Sequence, residues 1–458
     1  MFMSIRSIII LCLGLIVAAC GQKEQTEKPN IIFILTDDQR WSALGYAGND
    51  IVQTPEMDKL AAEGVYFKNA LVTTPICSAS RASIFSGTYE RTHRYTFGPK
   101  TLRPDLVETS YPRLMKDSGY HTGFFGKYGV KVAAKESHFD VFEDLPMGEG
   151  YFSRKLDGKP VHLTRYNGQM ALDFIEDAPK DKPFALSLSF NAPHADDKAE
   201  EQYFWQEEPG KLYQDMNMPL PENGSDEDFN RLPAMVKEGF NRTRWYWRYD
   251  TPQKYQHSVK GYYRMINGID REIALIREKL KEKGLDKNTV IILMGDNGYF
   301  MGERQLAGKW LMYDNSVRVP LIIYDPRVNE HRDLDDMALN IDIPATILDL
   351  AGIDIPKRYQ GKSLMPVVRG EEDSLMRDAV LIEHLWDKPN VLIPPSEGVR
   401  THEWKYLRYV NNPEIEELYN LKADPKEINN LVADPAHQKT LGKMRDKLKE
   451  LTTKYSGI

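Results

Sequence analysis

The chain has 458 residues, 41% hydrophobic and 28% charged, an ordinary globular composition long enough for one large α/β domain and a smaller one. Its 60 Lys and Arg face 67 Asp and Glu, for a formal net charge of −7. That balance excludes a general nucleic-acid binder, which needs a basic face, and an anion could be held only by locally concentrated cations.

The N-terminus reads as a targeting segment. Arg6 precedes the apolar run Ser7 to Val17, which is too short to span a bilayer and ends in small residues, so residues 1–19 read as a signal peptide. Val17-Ala18-Ala19-Cys20 resembles a bacterial lipobox, in which Cys20 is lipidated; ordinary cleavage beside an incidental cysteine is the alternative. Residues 20–28 read as a polar tether. Gly21, rather than Asp, after the cysteine favours an outer-membrane or cell-surface lipoprotein over one retained at the inner membrane. Of the three cysteines, Cys12 leaves with the signal peptide and Cys20 takes lipid, so Cys77 has no disulfide partner in an oxidising compartment. Its polar setting, Thr73-Thr74-Pro75-Ile76-Cys77-Ser78-Ala79-Ser80-Arg81, argues against an inert buried thiol.

Asn30 to Thr36 is an apolar run stopped by Asp37-Asp38, the pattern of a buried parallel strand with carboxylates at its carboxyl end. Pro55 to Glu63 reads as a helix closed by Gly64. Phe184 to Phe190 is a second strand, ending in Asn191-Ala192-Pro193-His194. Residues 200–250, acidic and rich in aromatics, read as an insertion between core elements that helps wall a pocket. Val259, Tyr262, Ile266, Ile269, Ile273, Ile276 and Leu280 mark a long helix whose stripe is core packing. Thr289 to Met294 is a third strand, ending in Gly295-Asp296-Asn297-Gly298, and Val319 to Tyr324 a fourth. Near residue 370 the pattern changes: Val399 to Val410 reads as paired strands and Pro435 onward as a charged amphipathic helix. The expected division is a catalytic domain over 29–370 and a C-terminal α+β subdomain over 371–458.

In open α/β sheets, ligands bind beyond the carboxyl ends of strands, where Asp37-Asp38 and Asp296-Asn297 stand. Hard cations such as calcium take carboxylate and amide oxygens, and the scarcity of nitrogen and sulfur ligands nearby makes zinc less apt. Asp-Asn-Gly is also a common turn. Cys77 and Arg81 are four apart; a helix starting near Cys77 puts both on one face above its positive end, which suits a tetrahedral anion. Lys127, His194 and Lys309 are further candidate site residues.

Together these residues resemble the type I sulfatases of the alkaline phosphatase superfamily, from about residue 29 to the C-terminus. The first metal pair of that family matches Asn30 to Asp38, and its signature matches Cys77-Ser78-Ala79-Ser80-Arg81. Gly119-Tyr120-His121-Thr122-Gly123-Phe124-Phe125-Gly126-Lys127, Pro193-His194, Asp296-Asn297-Gly298, Lys309 and Ser316 to Leu321 match further motifs. The resemblance implies an α/β fold with a central mixed sheet sandwiched by helices and a smaller C-terminal α+β subdomain. It implies that Cys77 becomes formylglycine (3-oxoalanine), whose hydrate attacks sulfur beside one Ca2+ held by Asp37, Asp38, residue 77, Asp296 and Asn297. Arg81, Lys127 and Lys309 then stabilise charge, and His194 protonates the leaving oxygen or positions the sulfate.

Three departures stand out. Gly129 replaces a histidine that normally contacts the formylglycine, Gly302-Glu303-Arg304 replaces Gly-Glu-His, and Ala79 replaces the commoner proline. The last implies a sulfatase-maturing enzyme tolerant of alanine, such as the anaerobic radical type. The expected substrate is a sulfated oligo- or polysaccharide, for instance ulvan, carrageenan or a glycosaminoglycan. Trp205, Trp245 and Trp247 are candidate sugar-stacking residues, and His257, Arg264, Arg400 and His402 candidate substrate contacts. A phosphonate or phosphate ester hydrolase of the same superfamily is the nearest rival. A non-catalytic glycan-binding lipoprotein is another, but it leaves the metal pairs and Cys77 unexplained.

Overall fold

The computed structural model describes residues 28–456 except 99, 329 and 388–391. The segment read as a signal peptide, Cys20, and residues 21–27 of the expected tether lie outside the described residues.

Eight strands form the central sheet: β1 (Asn30–Thr36), β2 (Val65–Leu71), β3 (His121–Gly126), β4 (Val141–Asp144), β5 (Phe184–Ser189), β6 (Thr289–Gly295), β7 (Leu321–Tyr324) and β8 (Arg332–Leu339). Their spatial order is β8-β2-β7-β6-β1-β5-β3-β4. β1 pairs in parallel with both β5 and β6, with Ile34 opposite Leu188 on one side and Leu293 on the other. In this sheet β7 runs antiparallel to its neighbours β2 and β6, so the sheet is mixed, as expected.

Every residue of β1 is buried. Successive side chains leave opposite faces of a strand, so Ile31, Phe33 and Leu35 enter one core while Ile32 and Ile34 enter another. Five helices matter most: α1 (Pro55–Glu63), α2 (Cys77–Ser86), α3 (Phe240–Arg248), α4 (Pro252–Glu282) and α5 (Gln438–Ser456). Pro55 opens α1 at a position where its missing N–H costs nothing. The hydroxyl of Thr251 caps α4 by accepting from the Lys254 N–H at 3.2 Å. All seven apolar residues of the predicted stripe are buried against the second core.

The C-terminal part is an antiparallel sheet, β9 (Val380–His384), β10 (Ser396–Arg400), β11 (Trp404–Tyr409) and β12 (Asn412–Asn420), in sequential order. Leu441, Met444, Leu448 and Leu451 are the buried face of α5. Val380, Leu381, Val399 and Tyr406 belong to the same hydrophobic cluster as Ile31 and Phe33, so this sheet is packed onto the main core.

Parallel pairing brings the carboxyl ends of β6, β1, β5 and β3 side by side. Asp296, Asp37, the Asn191–His194 turn and Lys127 follow those four strands respectively, and so meet at one edge of the sheet.

Candidate functional site

The turn after β1 is pinned from three sides. Asp37 donates its N–H to the Ala192 carbonyl at 3.2 Å. Asp38 has φ of 72°, unusual for a residue with a side chain. Its N–H reaches Asp296 Oδ1 at 3.1 Å, and its carbonyl accepts from the Tyr262 hydroxyl at 2.6 Å. Tyr262 thus does more than pack the α4 stripe, because its hydroxyl holds the strained turn. Asn297 Nδ2 donates to Asp38 Oδ1 at 2.6 Å. Gly298 is required by packing: a Cβ there would lie 2.2 Å from the Asn315 carbonyl oxygen.

Cys77 opens α2 and is 4% exposed. One turn on, Arg81 donates from Nε to Asp296 Oδ2 at 2.8 Å and from Nη1 to the Lys127 carbonyl. Its Nη2 lies 3.9 Å from Asp37 Oδ2 and has no hydrogen-bond partner among the described residues. Lys127 Nζ pairs with Asp37 Oδ2, and Lys309 Nζ with Asp38 Oδ1. His194 Nε2 stands 3.7 Å from Asp38 Oδ2, while Nδ1 contacts the Ala195 carbonyl at 2.6 Å. A carbonyl only accepts, so the proton sits on Nδ1. Burial, helped by Lys309, pushes the imidazole down to about 4, leaving a neutral ring whose Nε2 lone pair faces the pocket.

The electrostatics describe a place for a cation. Burial raises the Asp37 carboxyl, but Lys127, His194, Lys309 and Arg81 together hold it well below the usual carboxylate range. Burial and the charge of Asp37 push Asp296 up to about 6, a repulsion that a bound cation relieves. Burial also pushes the Cys77 thiol up, against the pull of Lys127 and Lys309.

Asp37 Oδ1, Asp38 Oδ2 and Asn297 Oδ1 are buried and have no hydrogen-bond partner among the described residues. Such orphaned acceptors cost about 1–3 kcal/mol each unless something takes their lone pairs. Ligand atoms of Asp37, Asp38, Cys77 and His194 all lie within 4.8 Å of one another. That group includes a sulfur and a ring nitrogen, but the orphaned acceptors themselves are all oxygens, two from carboxylates and one from an amide, and those fit a hard cation. The three carboxylates already face three cationic side chains, so a divalent ion leaves the pocket positive and ready for an anion.

The departures have structural reasons. Gly129 sits at φ 72°, and a Cβ there would lie 2.6 Å from Arg81 Cδ. The Arg81 stem occupies the space a side chain at 129 would need. Arg304 is buried, donates to the Lys426 carbonyl at 2.7 Å and stacks on Tyr313 at 4.3 Å, tying the main domain to the C-terminal part.

Among the described residues, none of the four expected substrate contacts hydrogen-bonds to this cluster. His257 Nε2 meets the Glu201 carbonyl at 2.8 Å. Arg264 donates twice to the Leu212 carbonyl, at 3.0 and 2.7 Å, and lies over Trp205. Arg400 is buried on Asp314 through two contacts of 3.1 Å. His402 is exposed on the bend between β10 and β11. Trp245 is stacked under Arg242 and Trp247 meets Phe240 edge-on, both inside the insertion. Asp197, Arg244, Arg248 and Trp310 beside the cluster were missed; the one available signal was the position of Asp197 three residues past His194.

Residues 29–353 match the family model described as Sulfatase, and residues 302–454 match N-sulphoglucosamine sulphohydrolase, C-terminal. The chain is 26% identical to an N-acetylglucosamine-6-O-sulfatase of Bacteroides thetaiotaomicron, over 96% of this chain and 90% of the relative. It is 27% identical to an ulvan-active sulfatase of Formosa agariphila, over 95% of this chain and 84% of the relative. A solved structure in complex with its substrate D-glucosamine-2-N,6-O-disulfate shares the fold with a TM-score of 0.80 at 25% identity, covering 94% of this chain and 98% of that one. The chain belongs to the sulfatase family, the hydrolases of sulfuric esters.

Proposed function

We propose that this chain releases sulfate from a sulfated carbohydrate, using a formylglycine made from Cys77 by a maturing enzyme and one bound calcium ion. The observation that carries this reading is the coincidence, at the N-terminus of α2, of orphaned acceptors on Asp37, Asp38 and Asn297 with an orphaned donor on Arg81. The acceptors fit a cation and the donor fits a sulfate oxygen.

Asp37, Asp38, Asp296 and Asn297 would hold the ion, with position 77 beside them. A formylglycine there, hydrated by one water, would supply two geminal hydroxyls, one to attack sulfur as the sugar alcohol leaves and one whose deprotonation would expel sulfate and restore the aldehyde; calcium, when bound, would lower the pKa of the attacking hydroxyl and neutralise sulfate oxygens. Arg81 is pinned through Nε to Asp296, so its free Nη2 is already aimed when substrate arrives. Lys127 and Lys309 are likewise held by Asp37 and Asp38. Charge fixed before the reaction costs no reorganisation during it. His194, locked through Nδ1, offers Nε2 as the place to hold a proton near the leaving oxygen.

Support for a carbohydrate comes from the relatives, one named for N-acetylglucosamine and another for ulvan, and from the disulfated glucosamine in the solved structure. A lipid anchor at Cys20 belongs to the same proposal and would hold the enzyme at the outer membrane, near polymeric substrate.

Mass spectrometry of the peptide carrying residue 77, from cells with a maturing enzyme, tests the reading. An aldehyde in place of the thiol, with activity on 4-nitrophenyl sulfate above that on 4-nitrophenyl phosphate, is the expected result. Cys77→Ala should abolish turnover with the fold intact. A fully active preparation that keeps the thiol overturns it.

A further inference from the structure

We propose that Asp197 is a substrate-positioning residue: held by two buried arginines, it accepts hydrogen bonds from hydroxyl or amide N–H groups of the sugar whose sulfate lies over position 77, and it turns away a sugar carboxylate there. This deepens, and rests on, the reading of the substrate as a sulfated carbohydrate.

Arg244 and Arg248 stand four residues apart on α3 and so share a face. Arg244 Nη2 donates to Asp197 Oδ2, and Arg248 Nη2 to Asp197 Oδ1. The arginine side chains are 6% and 0% exposed, whereas that of Asp197 is 29% exposed. The anion is therefore the member that meets solvent, and the cations lie behind it.

Its position ties it to the reaction centre on two sides. Asp197 follows His194 by three residues on the loop after β5, within electrostatic reach of that histidine. Arg244 lies over the Trp310 ring at 4.3 Å and close to Gly308, where a Cβ would meet its Nη1 at 3.0 Å. The segment beneath Arg244 thus includes Lys309. Through Arg244, the carboxylate on the His194 loop is linked to the segment that carries Lys309.

The pairing is costly for a merely structural element. Two guanidiniums are desolvated for one carboxylate, and Arg244 Nε with Arg248 Nε and Nη1 have no hydrogen-bond partner among the described residues. What the arrangement yields is a carboxylate with fixed orientation and lone pairs free on its solvent side. A carboxylate accepts and does not donate, so its complement is a pair of donors, such as neighbouring hydroxyls on a sugar ring. A uronate carboxyl in that place meets a like charge.

The test compares kcat/KM on N-acetylglucosamine 6-sulfate, on ulvan oligosaccharides and on 4-nitrophenyl sulfate. Asp197→Asn should lower the value for whichever saccharide the native enzyme uses best at least about tenfold more than the value for 4-nitrophenyl sulfate, mainly through KM. Equal losses on both, or no loss, overturn the proposal. If the variant fails to fold, single-deoxy forms of that saccharide with the native enzyme decide: at least one must lose about tenfold or more, and if none does the proposal falls. A native enzyme that cleaves aryl sulfate but no saccharide sulfate instead refutes the carbohydrate reading.

Discussion

Replacing Gly129 with alanine should damage catalysis through the Arg81 stem packed against it. The added Cβ would lie 2.6 Å from Arg81 Cδ, whereas ordinary contact begins at 3.4 Å, so the arginine stem must give way by about 0.8 Å. Arg81 is not free to yield, because Nε is bonded to Asp296 at 2.8 Å and the side chain is 1% exposed. A misplacement approaching 1 Å in a group that aims charge at the reacting centre can cost about 100-fold in rate. The backbone adds its own penalty, since φ of 72° at a residue with a side chain costs about 1–2 kcal/mol. Gly129→Ala should therefore lose about 100-fold in kcat on 4-nitrophenyl sulfate and about 1–2 kcal/mol in stability by denaturant unfolding. Gly129→His, which restores the usual family residue, should be worse. Full activity in either variant would refute the argument that the Arg81 stem fills this space.

Two further predictions concern residues away from the pocket. Arg400→Ala breaks a buried pair with Asp314, which keeps Lys405 at 2.5 Å. It should cost about 3 kcal/mol in chemical denaturation and leave KM alone; a raised KM with native stability would restore Arg400 as a substrate contact. Glu90 accepts from the Thr74 hydroxyl at 3.3 Å, and burial with neighbouring Glu383 pushes its carboxyl up to about 8 from 4.5. Because the folded value is raised, the native state binds more protons between those limits. Its stabilising share is complete below about 4.5 and fades as pH climbs towards 8, by up to about 1.4 kcal/mol per pH unit. Thermal unfolding across that window should fall less steeply for Glu90→Gln, and identical slopes would contradict the assignment.

Much of the scaffold was legible because its signals are local. β1 reads residue for residue as an apolar run closed by aspartates, and α1 is framed by Pro55 and Gly64. The stripe on α4 was visible from Val259 to Leu280, but the helix starts at Pro252, because its first turns are polar and periodicity is blind to them. The fourth strand begins at Leu321 rather than Val319, since Pro320 has no N–H for the ladder. Asp37, Asp38, Asp296 and Asn297 could be grouped because strand ends in a parallel sheet converge, whereas the roles of Cys77, Arg81, Lys127 and Lys309 came from motif resemblance. The partners of Arg264 and Arg400 could not be read from the sequence, since a buried arginine and a surface one look alike until folding brings their partners together. Asp197 and Arg244 lie 47 positions apart across an insertion without periodicity, and their contact exists only after folding. The closeness of Gly129 to Arg81 is likewise a property of packing.

The proposed chemistry requires the orphaned oxygens of Asp37, Asp38 and Asn297 to cage a cation. Calcium titration by calorimetry into chelator-stripped protein addresses this directly. One ion per chain should bind, restoring sulfate release, and Asp38→Asn should weaken binding and activity together. No binding heat, with full activity kept in excess chelator, would contradict it.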